Sequence, residues 1–405
     1  MNTFSEMALS PLLKSNLARN GFKTPTEIQS LAIAPALAGE DLVATAQTGT
    51  GKTLAFLLPI IQSFTASPAP KGIRYLILSP TRELAMQSNE EFLKLAKGSG
   101  LSAAVVIGGL SERTQLSAIR KGAQLLIATP GRLQDYLKRR LVDLGAVQIV
   151  VLDEADRMLD MGFLPTIRTI MAAIPTPRQT LFFSATLESS VKHLVASYVP
   201  DGVRIEVGSI SKPAEQVDLR CYEVEQDGKL GLLHNLLGRD EGSFLVFART
   251  KHAVDRLARR LACDGVKTAA IHGNRSQNQR NQALRGFQEG SYRVLVATDV
   301  AARGIHVDGI AHVVNYDLPQ VPEDFIHRVG RTGRAGARGT ASTFSTRLER
   351  STLAQIERKL AISLPRYSEA GEMLQAQAAL APAPRRWRSF KPSRSTARRQ
   401  VRHAV

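Results

Sequence analysis

One stretch near the N-terminus constrains the fold more than any other: Asp41-Leu-Val-Ala-Thr-Ala-Gln-Thr-Gly-Thr-Gly-Lys-Thr53. An apolar run over 42–44 ends in a glycine-containing loop over 46–53, and a helix-like apolar run follows over 54–61. This order of strand, loop and helix is typical of a phosphate-binding loop. Its glycines let backbone N–H groups close around a phosphate, and the helix N-terminus adds the positive end of its dipole.

Two side chains at the end of this loop have specific expected roles. We expect Lys52 to reach the β- and γ-phosphates of a nucleotide and the Thr53 hydroxyl to bind Mg²⁺. The strict pattern has glycine where this chain has Ala46, so a plain glycine turn before a buried helix is the alternative interpretation. The residues predicted to bind ATP in this loop are Ala46, Gln47, Thr48, Gly49, Thr50, Gly51, Lys52 and Thr53.

A second stretch, Gln148-Ile-Val-Val-Leu-Asp-Glu-Ala-Asp156, is a buried-strand pattern that ends in carboxylates. A parallel strand that delivers Asp at its C-terminal tip beside a phosphate loop suits a Mg²⁺ site. We expect Asp153 to hold the metal through water and Glu154 to orient or deprotonate the attacking water. By itself, Asp-Glu after a strand is equally typical of a solvated loop, but together the two stretches favour a nucleotide-hydrolysing site.

Length and charge limit the class of protein. A chain of 405 residues predicts two domains, and a hydrophobic content of 43% suffices for a globular core. The net charge of +17 indicates a polyanionic partner, RNA or DNA. Two cysteines, Cys221 and Cys263, imply no disulfide framework. The segment 1–10 is not typical of a signal peptide, and no apolar run approaches the roughly 20 residues of a membrane helix. We therefore expect a cytoplasmic monomer without membrane contact.

The order of apolar runs predicts an α/β fold of two tandem domains, each a mostly parallel sheet with helices on both faces. The first domain is expected over 1–207, a polar linker over 208–216, the second domain over 217–365, and a basic, disordered tail over 366–405. The predicted strand runs are 42–44, 75–78, 103–107, 125–128, 149–152, 180–183, 219–224, 244–247, 268–271, 294–297 and 312–315.

Nine short motifs in a fixed order resemble those of DEAD-box ATP-dependent RNA helicases of superfamily 2, in particular the bacterial members. They are Gly-Phe-Lys-Thr-Pro-Thr-Glu-Ile-Gln29, the loop 46–53, Pro-Thr-Arg-Glu-Leu-Ala85, Gly108-Gly109, Thr-Pro-Gly-Arg132, the acidic motif 153–156, Ser-Ala-Thr186, Ala-Thr-Asp-Val-Ala-Ala-Arg-Gly304 and His-Arg-Val-Gly-Arg-Thr-Gly-Arg334. The resemblance spans residues 4 to about 338 and implies two RecA-like domains. The family itself has Ala at the position of Ala46.

The resemblance assigns a base-recognition role to Gln29, whose amide offers one acceptor and two donors to the edge of adenine. It also implies that Phe22 stacks on the base and that Phe4 packs behind. Without the family context, Gln29 is more typical of a helix-start residue.

The resemblance also implies that Arg331 and Arg334 are arginine fingers, which neutralise charge on the γ-phosphate from across the domain cleft. A solvated basic loop is the alternative for these two arginines. Ser184 and Thr186 would couple hydrolysis to RNA, although two hydroxyls after a strand are common turn formers. His327 and Arg328 would tie the arginine motif to the acidic motif and to residues 184–186.

RNA contacts implied by the resemblance go to the sugar-phosphate backbone, with 2′-hydroxyls favouring RNA over DNA. For any single arginine among them, a plain surface charge is the alternative. The matching positions are Arg82, Gly109, Thr129 and Arg132 in the first domain, and Gln277, Arg280, Thr298 and Arg303 in the second.

Together these features predict an RNA-dependent ATPase that uses ATP and Mg²⁺ to unwind short RNA duplexes or remodel ribonucleoprotein. Two alternatives remain: a DNA-directed helicase of the same superfamily, and an RNA clamp or annealing factor whose hydrolysis only times release. His306 stands where the family has an Asp that touches the ribose, which puts nucleotide affinity in question, and Asn274 replaces another Asp. Trp387 and Phe390, among eight positive charges after 384, predict a nonspecific RNA tether, with a merely solubilising tail as the alternative.

Overall fold

A computed structural model describes residues 3–46, 49–67, 72–187, 189–207, 216–302, 307, 309–333, 338–368 and 372–374. The predicted linker lies outside these residues except for Gln216. The predicted tail also lies outside them, except for 366–368 and 372–374.

Eleven of the fourteen strands in the described residues coincide with the predicted apolar runs, because four consecutive apolar side chains satisfy two buried faces at once. The first domain contains β1 (Leu42–Ala46), β2 (Tyr75–Leu78), β3 (Ala103–Val106), β4 (Leu125–Ala128), β5 (Ile149–Leu152), β6 (Gln179–Ser184) and β7 (Val203–Val207). The second contains β8 (Val217–Glu223), β9 (Phe244–Phe247), β10 (Thr268–Ile271), β11 (Val294–Ala297), β12 (His312–Asn315), β13 (Gly339–Ser345) and β14 (Arg366–Tyr367).

Helices connect these strands along the chain. In the first domain they are α1 (Pro11–Arg19), α2 (Glu27–Leu37), α3 (Lys52–Ala66), α4 (Arg82–Leu95), α5 (Glu112–Arg120), α6 (Pro130–Lys138), α7 (Ala155–Asp160), α8 (Leu164–Ala172) and α9 (Ser189–Tyr198). In the second they are α10 (Lys229–Arg239), α11 (Lys251–Cys263), α12 (Gln277–Gln288), α13 (Asp299–Ala302), α14 (Pro322–Val329) and α15 (Arg350–Leu360). Short 3₁₀ turns cover Phe4–Glu6 and Arg347–Glu349.

Each domain is built on one seven-stranded sheet, and every pair of named strands is parallel. The strand orders are β3-β4-β2-β5-β6-β1-β7 and β10-β11-β9-β12-β13-β8-β14. The two orders have the same form, so the domains are structural repeats. The predicted α/β architecture of two tandem parallel sheets is confirmed.

The alternation of side chains along each strand creates two apolar layers, one on each face of the sheet. In β1, Leu42 and Ala44 join the layer that contains α2 and α3, whereas Val43 joins the opposite layer. In β2, Tyr75 and Ile77 join the first of these layers, whereas Leu76 and Leu78 join the opposite one. Helices on both faces follow from this pattern, and among the described residues none is long and apolar enough to span a bilayer.

Strand β13 was not predicted, because its sequence Gly-Thr-Ala-Ser-Thr-Phe-Ser contains no apolar run. Its residues Ser342 and Thr343 are nevertheless buried, and partners on the neighbouring strand β12 satisfy them. The Ser342 hydroxyl lies 2.8 Å from His312 Nε2, and Asn315 donates to the Thr343 hydroxyl over 3.1 Å. A hydropathy pattern cannot identify a strand held by matched polar pairs. Strand β7 was not predicted either, because Arg204 and Glu206 interrupt its apolar residues. Strand β14 lies just beyond the predicted end of the domain.

Candidate functional site

Three adjacent strands of the first sheet deliver the predicted catalytic residues to one edge. Strand β6 lies between β1 and β5, and parallel strands present their carboxyl ends at the same edge of the sheet. The phosphate loop follows β1, the acidic pair Asp153–Glu154 follows β5, and Ser184 ends β6. The topology therefore brings together three motifs that the sequence spreads over residues 46–184.

The phosphate loop has the backbone that its glycines predict. Gly49 and Gly51 have φ values of 88° and 92°, in the left-handed region that favours glycine, and Gly51 precedes α3. Lys52 is 6% exposed, and its ammonium donates to the Ala46 carbonyl over 2.7 Å. The lysine thus lies folded across the loop. Gln47 and Thr48 lie outside the described residues.

Gln29 combines the two roles considered for it. Its carbonyl oxygen accepts from the Thr26 backbone N–H over 2.9 Å, as a residue in the first turn of α2 does. Its amide nitrogen donates to the Gly51 carbonyl, also over 2.9 Å, so α2 is tied directly to the phosphate loop. A Cβ at Gly51 would lie 2.3 Å from that nitrogen, and glycine is required there for this second reason. Phe4 is buried and Phe22 half-buried against the same core.

The acidic pair is buried, and its two carboxyl groups differ in electrostatic environment. Burial, with the Glu154 carboxylate as the next cause, raises the pKa of Asp153 to about 7. Burial alone would also raise the pKa of Glu154, but Arg157, Lys52 and Arg331 together lower it below its ordinary value. Glu154 is therefore the group held ionised at neutral pH.

A fully buried arginine fixes Glu154. Arg157 is 1% exposed and its guanidinium donates to Glu154 Oε2, three residues back. The Glu154 backbone is itself left-handed, with φ 49°, which is uncommon for a residue with a side chain. The ion pair and the turn together set where this carboxylate lies. The sequence analysis assigned no role to Arg157.

Asp156 links the acidic motif to the end of β6. One of its oxygens accepts from the backbone N–H groups of Ala185 and Thr186, both over 3.0 Å, and lies 3.3 Å from the Thr186 hydroxyl. The Ser184 hydroxyl donates to the Thr186 carbonyl over 2.7 Å. A shift of the acidic motif would therefore move residues 184–186. This contact supplies a physical basis for the expected coupling role of Ser184 and Thr186.

In the second domain, the contacts of Arg328 differ from the expectation. Its guanidinium binds both oxygens of Asp299 and donates to Asn315 Oδ1 over 3.1 Å and to the Asp317 carbonyl over 2.7 Å. These partners belong to its own domain and not to the acidic motif. Arg328 thus braces the second domain internally.

Arg331 is buried in the second domain and influences the acidic motif of the first electrostatically. It is 3% exposed, its Nε donates to the His327 carbonyl over 3.2 Å, and its charge contributes to lowering the pKa of Glu154. The charge of an arginine of the second domain thus acts on a carboxylate of the acidic motif of the first. Arg334 lies outside the described residues.

The two domains meet at a buried charge pair beside the predicted RNA positions. Glu83 of α4 is 4% exposed and lies 2.8 Å from the Arg280 guanidinium of α12, without the alignment of a hydrogen bond. Gln277 donates to the other Glu83 oxygen over 3.2 Å. Two residues predicted to bind RNA, Gln277 and Arg280, thus contact the other domain. Glu83 lies in the motif Pro-Thr-Arg-Glu-Leu-Ala85, but only the structure shows that Arg280 is its partner.

Two more of the predicted RNA positions, Arg82 and Arg132, form a basic cluster next to this pair. The Arg82 guanidinium lies over Gly108 and Gly109, since a Cβ on Gly109 would come within 2.3 Å of it. Burial, with Arg280 and Arg132 as neighbouring charges, lowers the pKa of Arg82. Thr129 precedes α6 and Thr298 precedes α13. Arg303 lies outside the described residues, as does His306.

Comparison with known proteins agrees with this arrangement. The DEAD/DEAH box helicase family model matches residues 26–194, and the helicase conserved C-terminal domain model matches residues 228–336. The ATP-dependent RNA helicase RhlB of Pseudomonas syringae pv. tomato is 43% identical over 338 residues, covering 81% of this chain and 85% of that protein. The DEAD-box helicase CshA of Streptococcus pneumoniae is 41% identical over 81% of this chain, which spans 62% of the length of that protein.

Solved structures show the same fold. Saccharomyces cerevisiae Dbp5 bound to RNA and ADP BeF3 is similar with a TM-score of 0.82 at 29% identity, over 91% of this chain and 96% of that one. Dbp5 in a complex with gle1 and ip6 gives a TM-score of 0.72. The matched motifs, the paired RecA-like domains and the similarity to these proteins confirm the resemblance seen in the sequence: the chain belongs to the DEAD-box family of ATP-dependent RNA helicases.

Proposed function

We propose that this protein is an RNA-stimulated ATPase that separates short RNA duplexes or remodels ribonucleoprotein. The observation that carries the proposal is the electrostatic influence of Arg331, from the second domain, on Glu154 of the first. A hydrolytic site split between two domains is complete only when they close. Ligands that favour closure therefore control turnover.

In this scheme each residue has a separate task in hydrolysis. Lys52 leaves the Ala46 carbonyl to bind phosphate oxygens, and Glu154, held ionised by Arg157, orients the attacking water. Arg331 and Arg334 offset the charge that develops on the γ-phosphate, a role worth about 10³–10⁵ in rate in related enzymes. All of these groups act by position and charge.

The residues present fit a magnesium ion. The Thr53 hydroxyl and the Asp153 carboxylate are hard oxygen ligands of the kind that Mg²⁺ prefers, and burial of Asp153 leaves a carboxyl group that a nearby cation would keep ionised. Mg²⁺ would neutralise phosphate charge there. Gln29, with Phe22, is proposed to read the adenine, and its bond to Gly51 relays base binding to the phosphate loop.

RNA is proposed to lie across both domains, on the basic cluster of Arg82, Arg132 and Arg280 and at the helix starts that follow Thr129 and Thr298. This is supported by the proximity of the three arginines and by the Dbp5 structure that its title describes as bound to RNA. Backbone contacts of this type carry no sequence information, so the proposal names RNA as a class. The two unpaired cysteines suit the reducing cytoplasm, where we place this activity for a monomeric protein.

Hydrolysis assays with different nucleic acids test the proposal. We expect ATP turnover to rise with single-stranded RNA and much less with DNA of the same sequence, and a short RNA duplex to separate in the presence of ATP. Equal stimulation by DNA would select the DNA-directed alternative. Turnover with stable RNA binding but no strand separation would select the clamp or annealing factor.

A further inference from the structure

Lys229, the first residue of α10, is a buried cation outside every motif discussed above. Its side chain is 1% exposed, and a lysine is almost never buried unless it is paired. The ammonium donates to the Tyr316 carbonyl over 2.9 Å and lies 3.5 Å from Asp317 Oδ1 and 3.8 Å from Glu349 Oε2. It also lies 5.7 Å from the centre of the Tyr316 ring. The charge is therefore compensated on several sides.

The partners of Lys229 are connected to one another. Asp317 Oδ2 accepts from the Arg249 backbone N–H over 2.9 Å, and the Arg249 guanidinium donates to Glu349 Oε1 over 3.0 Å. Glu349 Oε2 accepts from the Thr346 N–H over 3.0 Å. Arg249 follows β9, Asp317 follows β12 and Thr346 follows β13. Lys229 thus sits in a network that joins the carboxyl ends of three adjacent strands.

The same segment, 315–317, is also held by Arg328, which donates to Asn315 Oδ1 and to the Asp317 carbonyl. Arg328 precedes Arg331 by three residues, and Arg331 is tied to the chain beside it through the His327 carbonyl. A chain of contacts therefore connects residues 315–317 with Arg331, whose charge acts on Glu154.

We propose that Lys229 is a positioning residue for ATP hydrolysis: it fixes residues 315–317, and through Arg328 it sets the placement of Arg331 without touching the nucleotide. The inference rests on the proposed ATPase function. Lys229 lies at the far end of the network, yet it helps to set the geometry on which ATP turnover depends.

The expected effect is specific to turnover. In the variant Lys229→Met the side chain keeps its length, but the carboxylates of Asp317 and Glu349 lose the cation that lies between them and move apart. Glu349 keeps its bond with Arg249. A misplacement of about 1 Å at a reacting group can cost about 10²-fold in rate, so kcat should fall about 10- to 100-fold. The KM for ATP should change little, since the phosphate loop and Gln29 lie on the other domain.

The experiment compares RNA-stimulated hydrolysis by the full chain and its variants, with thermal unfolding measured in parallel. Lys267→Met, which removes an exposed lysine of the same domain, is the matched control and should keep the wild-type kcat. Adding Asp317→Asn to Lys229→Met removes the charge left without a partner and should recover part of kcat. The single variant Asp317→Asn retains the backbone carbonyl of residue 317 that accepts from Arg328, and it is the test variant if Lys229→Met does not fold. It should lower kcat about threefold or more and leave the KM for ATP unchanged.

An unchanged kcat in folded Lys229→Met, or in Asp317→Asn alone when the former does not fold, would overturn the positioning role while wild-type turnover still supports the ATPase. A parallel rise in KM for ATP would also overturn it, since the effect would then not be confined to turnover. No RNA-stimulated turnover by the wild-type protein would overturn both proposals.

Discussion

The interdomain pair of Glu83 and Arg280 leads to a prediction for RNA affinity. Its direction is opposite to the one expected from charge alone. Glu83 lies among arginines in the proposed RNA site, so replacing it by glutamine removes a negative charge that repels phosphate. On that basis alone, Glu83→Gln should bind RNA more tightly. If the pair holds the closed state, the same change should instead weaken RNA binding whenever an ATP analogue is bound.

The magnitude follows from burial. Both side chains are less than 10% exposed, with the charged atoms 2.8 Å apart, and breaking a well-formed buried pair costs about 3–5 kcal/mol. This pair lacks hydrogen-bond alignment, and the amide oxygen introduced by Glu83→Gln can still accept from Gln277, so we expect about 2–3 kcal/mol. The cost falls on the closed state only, because Arg280 regains water when the domains separate. It corresponds to a rise in Kd of about 30- to 150-fold.

The assay is fluorescence anisotropy of a labelled single-stranded RNA, with and without a non-hydrolysable ATP analogue. Glu90→Gln is the matched control: it removes the same charge from the same helix, and Glu90 lines the same cleft between α4 and α12 at an exposed position. We expect the control to bind RNA as the wild type does or slightly better. Glu83→Gln should lose affinity only with the analogue. Equal or tighter binding by Glu83→Gln with the analogue would refute the closure role of this pair.

Three further predictions can be checked on the same protein. Glu154→Gln should still bind ATP and RNA but lose about 10²–10⁴ in kcat; turnover near the wild-type rate would show that the catalytic residue is misassigned. Burial lowers the pKa of His312, although the charge of Asp240 opposes this shift. As the pH falls below the ordinary pKa of 6.5, the imidazole is therefore protonated more readily in the unfolded chain than in the folded one. The free energy of unfolding of the second domain should therefore fall as pH drops below about 7, as measured by urea titration, and His312→Gln should flatten that slope. Truncation at Pro384 should raise the apparent KM for RNA and reduce its salt dependence, whereas an unchanged KM would leave the tail a solubilising segment.

The sheets were predictable because their strands are short and fully apolar. Residues 125–128 and 244–247 appear in the structure with the predicted bounds, since no other element suits four apolar residues between turns. The strand order could not be predicted, because equivalent apolar runs carry no information about which neighbours pair. Strand β13 was missed for a related reason: Ser342 and Thr343 are buried by virtue of partners on β12 that the local sequence does not reveal.

The candidate site was predictable where one motif acts alone and not where two meet. The loop 46–53 and the carboxylates after β5 follow from local sequence. By contrast, the partner of Glu83 is almost 200 residues away, at Arg280, and Arg328 makes its contacts within its own domain rather than with the acidic motif. Lys229 carries no local signal at all, because a lysine at the start of a helix is ordinarily solvated. Only the fold shows that this one is enclosed.

The bond between the Lys52 ammonium and the Ala46 carbonyl has a consequence for how long a ligand stays. A phosphate that arrives must displace this hydrogen bond. Its binding therefore gains less free energy than binding to a lysine without a partner would. After phosphate leaves, the ammonium has a place to return to, and the empty loop is not left with an uncompensated charge. Such a loop favours rapid release of the bound phosphate over tight retention. This suits an enzyme that must release its product before its domains can open again.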